Sequence, residues 1–103
     1  MLNHVILVGR IVKIDEIEDK KITVTLAVNR YFKNVDGIYE TDFIKCNLSG
    51  SLANNTKEYC EKGDLIGIRG SLRQGVESEN LEIIADRVTF LSTGRKNNEE
   101  EEN

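Results

Sequence analysis

Residues 42–73 read DFIKCNLSGSLANNTKEYCEKGDLIGIRGSLR, and the hydrophobic period changes twice within them. From Asp42 to Ser49 the side chains alternate. Ile44, Cys46 and Leu48 share one face and Phe43, Lys45, Asn47 and Ser49 the other, the pattern of a half-buried strand. Leu52, Thr56, Tyr59 and Cys60 then recur at helical spacing, with Ser51 placed to cap the start and Gly63 just past the end. One short helix is expected there. Alternation returns in LIGIRGSLR, Leu65 to Arg73, with Ile66, Ile68 and Leu72 inward and Arg69, Ser71 and Arg73 outward.

Two further strands precede this junction. His4 to Ile14 is rich in valine and isoleucine and is expected to bend at Gly9, before the polar turn DEIEDKK. Ile22 to Asn29 alternates cleanly: Ile22, Val24, Leu26 and Val28 inward, Thr23, Thr25, Ala27 and Asn29 outward. Residues 30–40 read as a long loop or flexible hairpin arm turning at Asp36-Gly37. After the helix and fourth strand, QGVESEN is a turn and Leu81 to Leu91 a last strand. The order defines an all-β chain, a five-stranded OB-fold barrel with one short helix between strands 3 and 4. Glycines inside the strands suit the bends of a small barrel, although periodicity alone admits other five-stranded barrels.

The chain of 103 residues carries a net charge of -4, which lies wholly in Glu99 to Glu102. The preceding residues are balanced, so the low isoelectric point does not oppose a locally basic face. One domain over residues 1–94 is expected, followed by an acidic, disordered tail over 95–103. The N-terminal apolar run is broken by Gly9, Arg10 and Lys13 and resembles neither a signal peptide nor a membrane span. The cytoplasm is the expected location. Cys46 and Cys60 have no metal-ligand neighbours and read as small buried hydrophobes kept reduced, with a disulfide left open. No metal or other cofactor is expected. His4 starts an apolar strand without a nucleophile or carboxylate motif, so it reads as packed or interfacial, and no enzyme can be assembled.

The stretch RYFKNVDGIYETDFIK, Arg30 to Lys45, holds four of the six aromatic residues among three cations. Phe43 faces outward on a strand beside Lys45 and Asn47, and an exposed ring there needs a cover. Single-stranded nucleic acid offers one, a base on the ring and a phosphate on the cation. Thr23, Thr25 and Ala27 leave room beside it, and Arg69 and Arg73 are expected to flank the same groove. A partner subunit or the 30–40 loop could equally cover Phe43. Tyr31, Phe32 and Tyr39 divide between stacking and loop anchoring; Phe32, between Arg30 and Lys33, is favoured for stacking.

MLNHVILVGRIVK, ITVTLAVNRYF, TDFIKCNLSGSLANNTKEYCEKGDLIGIRGSLR and ADRVTFL resemble, in order and over nearly residues 1–91, the bacterial and phage single-stranded DNA-binding protein family. The resemblance implies an OB-fold, sequence-tolerant binding of single-stranded DNA in replication, recombination or repair, and a homo-oligomer. The oligomer is usually a homotetramer built from dimers paired through first strands. It implies stacking at Phe32 and Phe43. Arg10, at the end of the opening N-x-V-x-L-V-G-R, is a further candidate nucleic-acid-binding residue. Two usual aromatics are absent, at Ser49 and at Gly75-Val76, so weaker binding is expected. The acidic tail matches the family's partner-docking tip in charge but ends at Asn103 without its hydrophobic residue, so docking of replication or repair proteins is in doubt. A primosome-type accessory protein and an interaction module without nucleic acid are the alternatives.

Overall fold

The computed structural model describes residues 1–76 and 80–93; the expected acidic tail lies outside the described residues. Five strands and one helix follow in chain order: β1 (Val5–Glu18), β2 (Lys21–Lys33), β3 (Tyr39–Ser49), α1 (Gly50–Tyr59), β4 (Leu65–Gln74) and β5 (Leu81–Ser92). They close into a barrel in the order β1-β2-β3-β5-β4. Only the β3–β5 pairing is parallel, through Cys46 with Ile83 and Asn47 with Ile84. The expected architecture is the observed one.

The inward faces fill the barrel. Ile11, Ile22, Val24, Leu26, Cys46, Leu48, Ile66 and Ile68 are almost fully buried, with Ile83 and Ala85 from β5. Ala53, Thr56 and Cys60 of the α1 region close one end. Both cysteines are free and buried, and burial pushes the Cys46 thiol up to about 11. Such thiols pack as small apolar groups. Close strand contacts require glycine twice. A Cβ on Gly9 would stand 2.5 Å from the Ala27 carbonyl oxygen, and one on Gly70 would overlap that of Ile84.

Several local expectations are corrected. β1 runs on to Glu18 and β2 starts at Lys21, so DEIEDKK is mostly strand; the turn is only Asp19-Lys20, with Lys20 at φ 60°. Cross-strand pairs continue to Glu18–Lys21 and override the polar composition. The N-cap position of α1 is Ser49, not Ser51, and its side chain makes no capping hydrogen bond; the chain already turns at Gly50 (φ 66°), whose N–H donates to the Lys20 carbonyl. Tyr59 and Leu72, expected inward, are exposed, since each lies near the end of its element, beyond the packed interior. Thr25 faces outward yet is only 8% exposed, in register between Lys13 and Lys45. His4 is exposed in the single chain.

Residues 30–40 form the hairpin arm of the two expected readings, turning at Asp36-Gly37, but its strands reach further into it than expected. They form an ordered hairpin in which only Asn34 to Ile38 lie outside strands. Asn34 organises the turn: its Oδ1 accepts from the backbone N–H of Asp36 and of Ile38 (2.8 and 3.0 Å), and its N–H donates to the Ile38 carbonyl. An Asn side chain standing in for backbone acceptors is a strong local turn signal. Gly37, at φ 78°, supplies the left-handed step.

Candidate nucleic-acid interface

Residues paired across a strand ladder share a face, so register places the outward side chains in rows. On the outer face of β1, β2 and β3, one row is Arg10, Ala27, Phe43. The next is Lys13, Thr25, Lys45, and the third Asp15, Thr23, Asn47. Small residues on β2 thus form a floor between cations on β1 and a ring, a cation and an amide on β3. Phe43 is 66% exposed. Thr23 donates its hydroxyl to Asn47 Oδ1 at 3.0 Å, fixing the end of the floor.

Lys13 was not legible as a site residue. Strict alternation puts positions 10 and 13 on opposite faces. The register shift between Ile11 and Lys13 inserts one residue, so that Arg10 and Lys13 both face outward. Ile11-Val12, two adjacent β-branched residues interrupting the alternation, was the available signal. The loop after α1 braces this bulge: the Gly63 N–H donates to the Ile11 carbonyl and the Ile11 N–H to the Asp64 carbonyl. Arg10 itself donates to the Gly63 carbonyl at 3.0 Å.

The hairpin stands beyond the Phe43 row. Between Asn29–Thr41 and Lys33–Tyr39 the register slips, and Arg30, Tyr31 and Phe32 occupy the slipped interval. Phe32 is 57% exposed, and the Tyr31 ring meets it edge to face with centroids 5.2 Å apart. Lys33 Nζ lies 5.6 Å from the centroid of Tyr39, giving that ring a partner within the arm.

Arg30, expected to meet phosphate, is held inside the hairpin. Its Nε and Nη2 donate to the two carboxylate oxygens of Asp42 (3.1 and 2.9 Å) and its Nη1 to Glu40 at 2.6 Å. Glu40 also accepts from Asn34 Nδ2 at 3.0 Å, linking the ion pair to the turn. The Arg30 guanidinium holds the Asp42 carboxyl below the usual carboxylate range.

The structure therefore brings together Arg10, Phe43, Lys45 and Asn47 on the floor, with Arg73 lining a cleft beside Thr23 and Asn47. Arg30, Tyr31, Phe32 and Lys33 form the arm. Arg69 is not brought to this groove. It sits on the outer face of β1, β4 and β5, in register with Ile6 and Arg87, and donates to Asp86 at 2.9 Å. Among the described residues no group of ligands suited to a metal ion occurs, and no helix is long and apolar enough to cross a membrane.

A closed five-stranded barrel with an exposed ring among cations on one face defines an OB-type oligonucleotide-binding architecture. The description "Single-strand binding protein family" matches residues 2–91, and the chain belongs to that family. It is 39% identical to single-stranded DNA-binding protein B of Bacillus subtilis, over 88% of this chain and 91% of that one. It is 35% identical to a single-stranded DNA-binding protein of Staphylococcus epidermidis, over 96% and 83%. Among solved structures, a small single-stranded DNA-binding protein from Mycoplasma pneumoniae superposes with a TM-score of 0.62 at 27% identity, covering 85% of each chain. A Plasmodium falciparum protein in complex with single-stranded DNA shares the fold at a TM-score of 0.68 and 23% identity, over 89% and 96%.

Proposed function

We propose that this protein binds single-stranded DNA with little regard to sequence and shields it during replication, recombination or repair. It is a binding protein, not an enzyme, acting beside DNA in the cytoplasm. Residues 1–94 form the binding domain and 95–103 its acidic appendage. The observation that carries the reading is the exposed Phe43 on a floor of small residues, in register with Arg10 and beside the Lys13–Lys45 row. A base stacks on Phe43 while phosphates meet Arg10, Lys13, Lys45 and Arg73; Phe32, Tyr31 and Lys33 reach over from the arm. Membership of the family and relatives bearing the name single-stranded DNA-binding protein support this reading over a replication-restart accessory or an interaction module.

The protein acts as a homo-oligomer, a tetramer in this reading. Supporting it, Ile6 and Val8 stand exposed on the outer face of β1, an apolar strip that a second copy would cover. Light scattering distinguishes a tetramer from a dimer.

Fluorescence-polarisation titration of labelled poly-dT at two salt concentrations tests the binding. For single strands the log–log slope is negative, about 0.7 per phosphate neutralised. Base–aromatic stacking in proteins of this kind is worth about 1–3 kcal/mol per base, so Phe43→Ala weakens binding by about tenfold or more. Equal affinity in Phe43→Ala and no salt dependence would leave the interaction module instead.

A further inference from the structure

β4 outruns its neighbour on one side. Its ladder with β1 begins at Val5–Gly70, and residues 1–4 belong to no strand. On the other side β4 stays paired with β5 as far as Gln74–Leu81, and the Gly75 N–H closes the end by donating to the Asn80 carbonyl at 3.0 Å. Residues 71–74 and 81–84 therefore form a two-stranded ribbon standing beyond β1. β3 holds its β5 edge through Cys46–Ile83 and Asn47–Ile84. A two-stranded ribbon is marginal by itself, so its β4 edge needs support as well. The Asn3 side chain supplies it. Leu72, two residues past Gly70, points its N–H and C=O to the same side as Gly70 does. Asn3 Nδ2 donates to the Leu72 carbonyl and the Leu72 N–H donates to Asn3 Oδ1, both at 2.9 Å. A carboxamide offers a donor and an acceptor side by side, as a strand backbone does, so the ladder gains one more rung from a side chain.

We propose that Asn3 is a positioning residue for DNA binding, whose side-chain bridge to Leu72 fixes the ribbon and with it the neighbouring Arg73. The proposal rests on the single-stranded DNA reading above and adds no contact between Asn3 and DNA. Arg73 lies one residue past the bridge, in register with Glu82, and lines the cleft beside Thr23 and Asn47. Thr23 and Asn47 belong to the β2–β3 ladder, whereas Arg73 belongs to the ribbon. The place of that cation relative to the floor is therefore set by how the ribbon is held. β3 holds the β5 strand of the ribbon, and Asn3 holds the β4 strand, the one that carries Arg73. Without the bridge the Leu72 N–H and C=O turn to water and the β4 edge frays beyond Gly70. Arg73 must then be ordered during binding, which lowers affinity. Asn3 is exposed, so the two bonds add little to global stability and their effect is local.

A double-mutant cycle on the full chain tests this. Asn3→Ala removes the bridge and leaves the buried core untouched. Amide exchange at Leu72 should accelerate by about fivefold, and affinity for labelled poly-dT should fall by about threefold. Arg73→Met should lower the log–log salt slope by about 0.7. The double variant Asn3→Ala/Arg73→Met should bind no more weakly than Arg73→Met alone, because a bridge acting through Arg73 has nothing left to position. Equal losses from Asn3→Ala in both backgrounds, the mark of a general structural role, overturn the proposal. Asn3→Asp is the second variant. One carboxylate oxygen still accepts from the Leu72 N–H, but the other faces the Leu72 carbonyl with no hydrogen to give, so near pH 7 its affinity should fall as in Asn3→Ala. Unchanged affinity in both Asn3 variants overturns the proposal. A change of mass in Asn3→Ala by light scattering makes Asn3 a subunit contact and overturns it too. If Phe43→Ala weakens binding while Arg73→Met and Asn3→Ala do not, the positioning role fails and the single-stranded DNA reading stands. If the unaltered protein fails to bind poly-dT, that reading itself falls, and the positioning role with it.

Discussion

Phe43 and Phe32 are the same residue type with similar exposure, but they are held by different forces. Phe43 lies on an uninterrupted ladder, paired from Lys21–Ser49 to Asn29–Thr41, with Cys46 and Leu48 of its own strand buried beneath. Phe32 lies where the register slips, in an arm shaped by Arg30, Asp42, Glu40 and Asn34. Burial therefore preorganises the floor and exposed polar contacts preorganise the arm. Exposed ion pairs weaken with salt and buried apolar contacts do not. The two halves of one binding surface should answer to different perturbations.

The largest effect comes from striking the closed barrel that holds the floor, at the β4–β5 seam. In Gly70→Ala the new Cβ meets the Ile84 carbonyl of the neighbouring strand, a backbone atom that cannot swing aside. The variant should lose about 2–4 kcal/mol of stability, with a fall in Tm of about 10 °C or more by circular dichroism. DNA binding should persist below the lowered Tm and be lost as the barrel melts. An unchanged Tm would show that the floor does not depend on this close approach.

That contrast also explains what could be read in advance. The floor follows from alternation alone: Ile22, Val24 and Leu26 face Cys46 and Leu48 inside, which forces Thr23, Ala27, Phe43, Lys45 and Asn47 outward. The helix was legible from its change of period. Lys13 was missed because a bulge shifts parity by one residue, and a bulge is chosen by packing with β2 and the Gly63-Asp64 backbone, far away in sequence. Arg69 was misplaced because alternation gives the face of a strand but not the side of a closed barrel. The arm was legible as a hairpin turning at Asp36-Gly37 but not its lock, because Arg30 pairs with residues ten and twelve positions on and no local pattern announces that partnership.

Salt dependence separates the two regions next. Lys45→Met should lower the log–log salt slope on poly-dT by about 0.7, the loss of one phosphate contact. Arg30→Met should leave that slope unchanged, because its charge is already matched by Asp42 and Glu40. Its affinity should still fall by about threefold, as the arm carrying Phe32 loses its lock and must be ordered on binding. A fall in slope equal to that of Lys45→Met would make Arg30 a phosphate contact and erase the distinction.

The smallest effects are in pH, and they have opposite signs in the two regions. Asp42 has its folded carboxyl pulled down, first by its hydrogen bonds from Arg30, so it stabilises the arm above the ordinary carboxylate value of about 3.9 and ceases to do so as pH falls through the lower folded value. Amide exchange at Gly37 and Ile38, corrected for its intrinsic rate, should be flat between about pH 5 and pH 8 and accelerate only below the ordinary value. Cys46 runs the other way. Its thiol, raised by burial to about 11, contributes fully below the ordinary value of about 8.5, and the contribution fades as pH climbs toward 11. The floor should therefore soften in alkali while the arm stays closed, a difference read by following thermal unfolding and hairpin exchange on the same samples. If both regions loosen together at either extreme, arm and floor form one cooperative unit and the ion pair at Arg30 adds nothing separate.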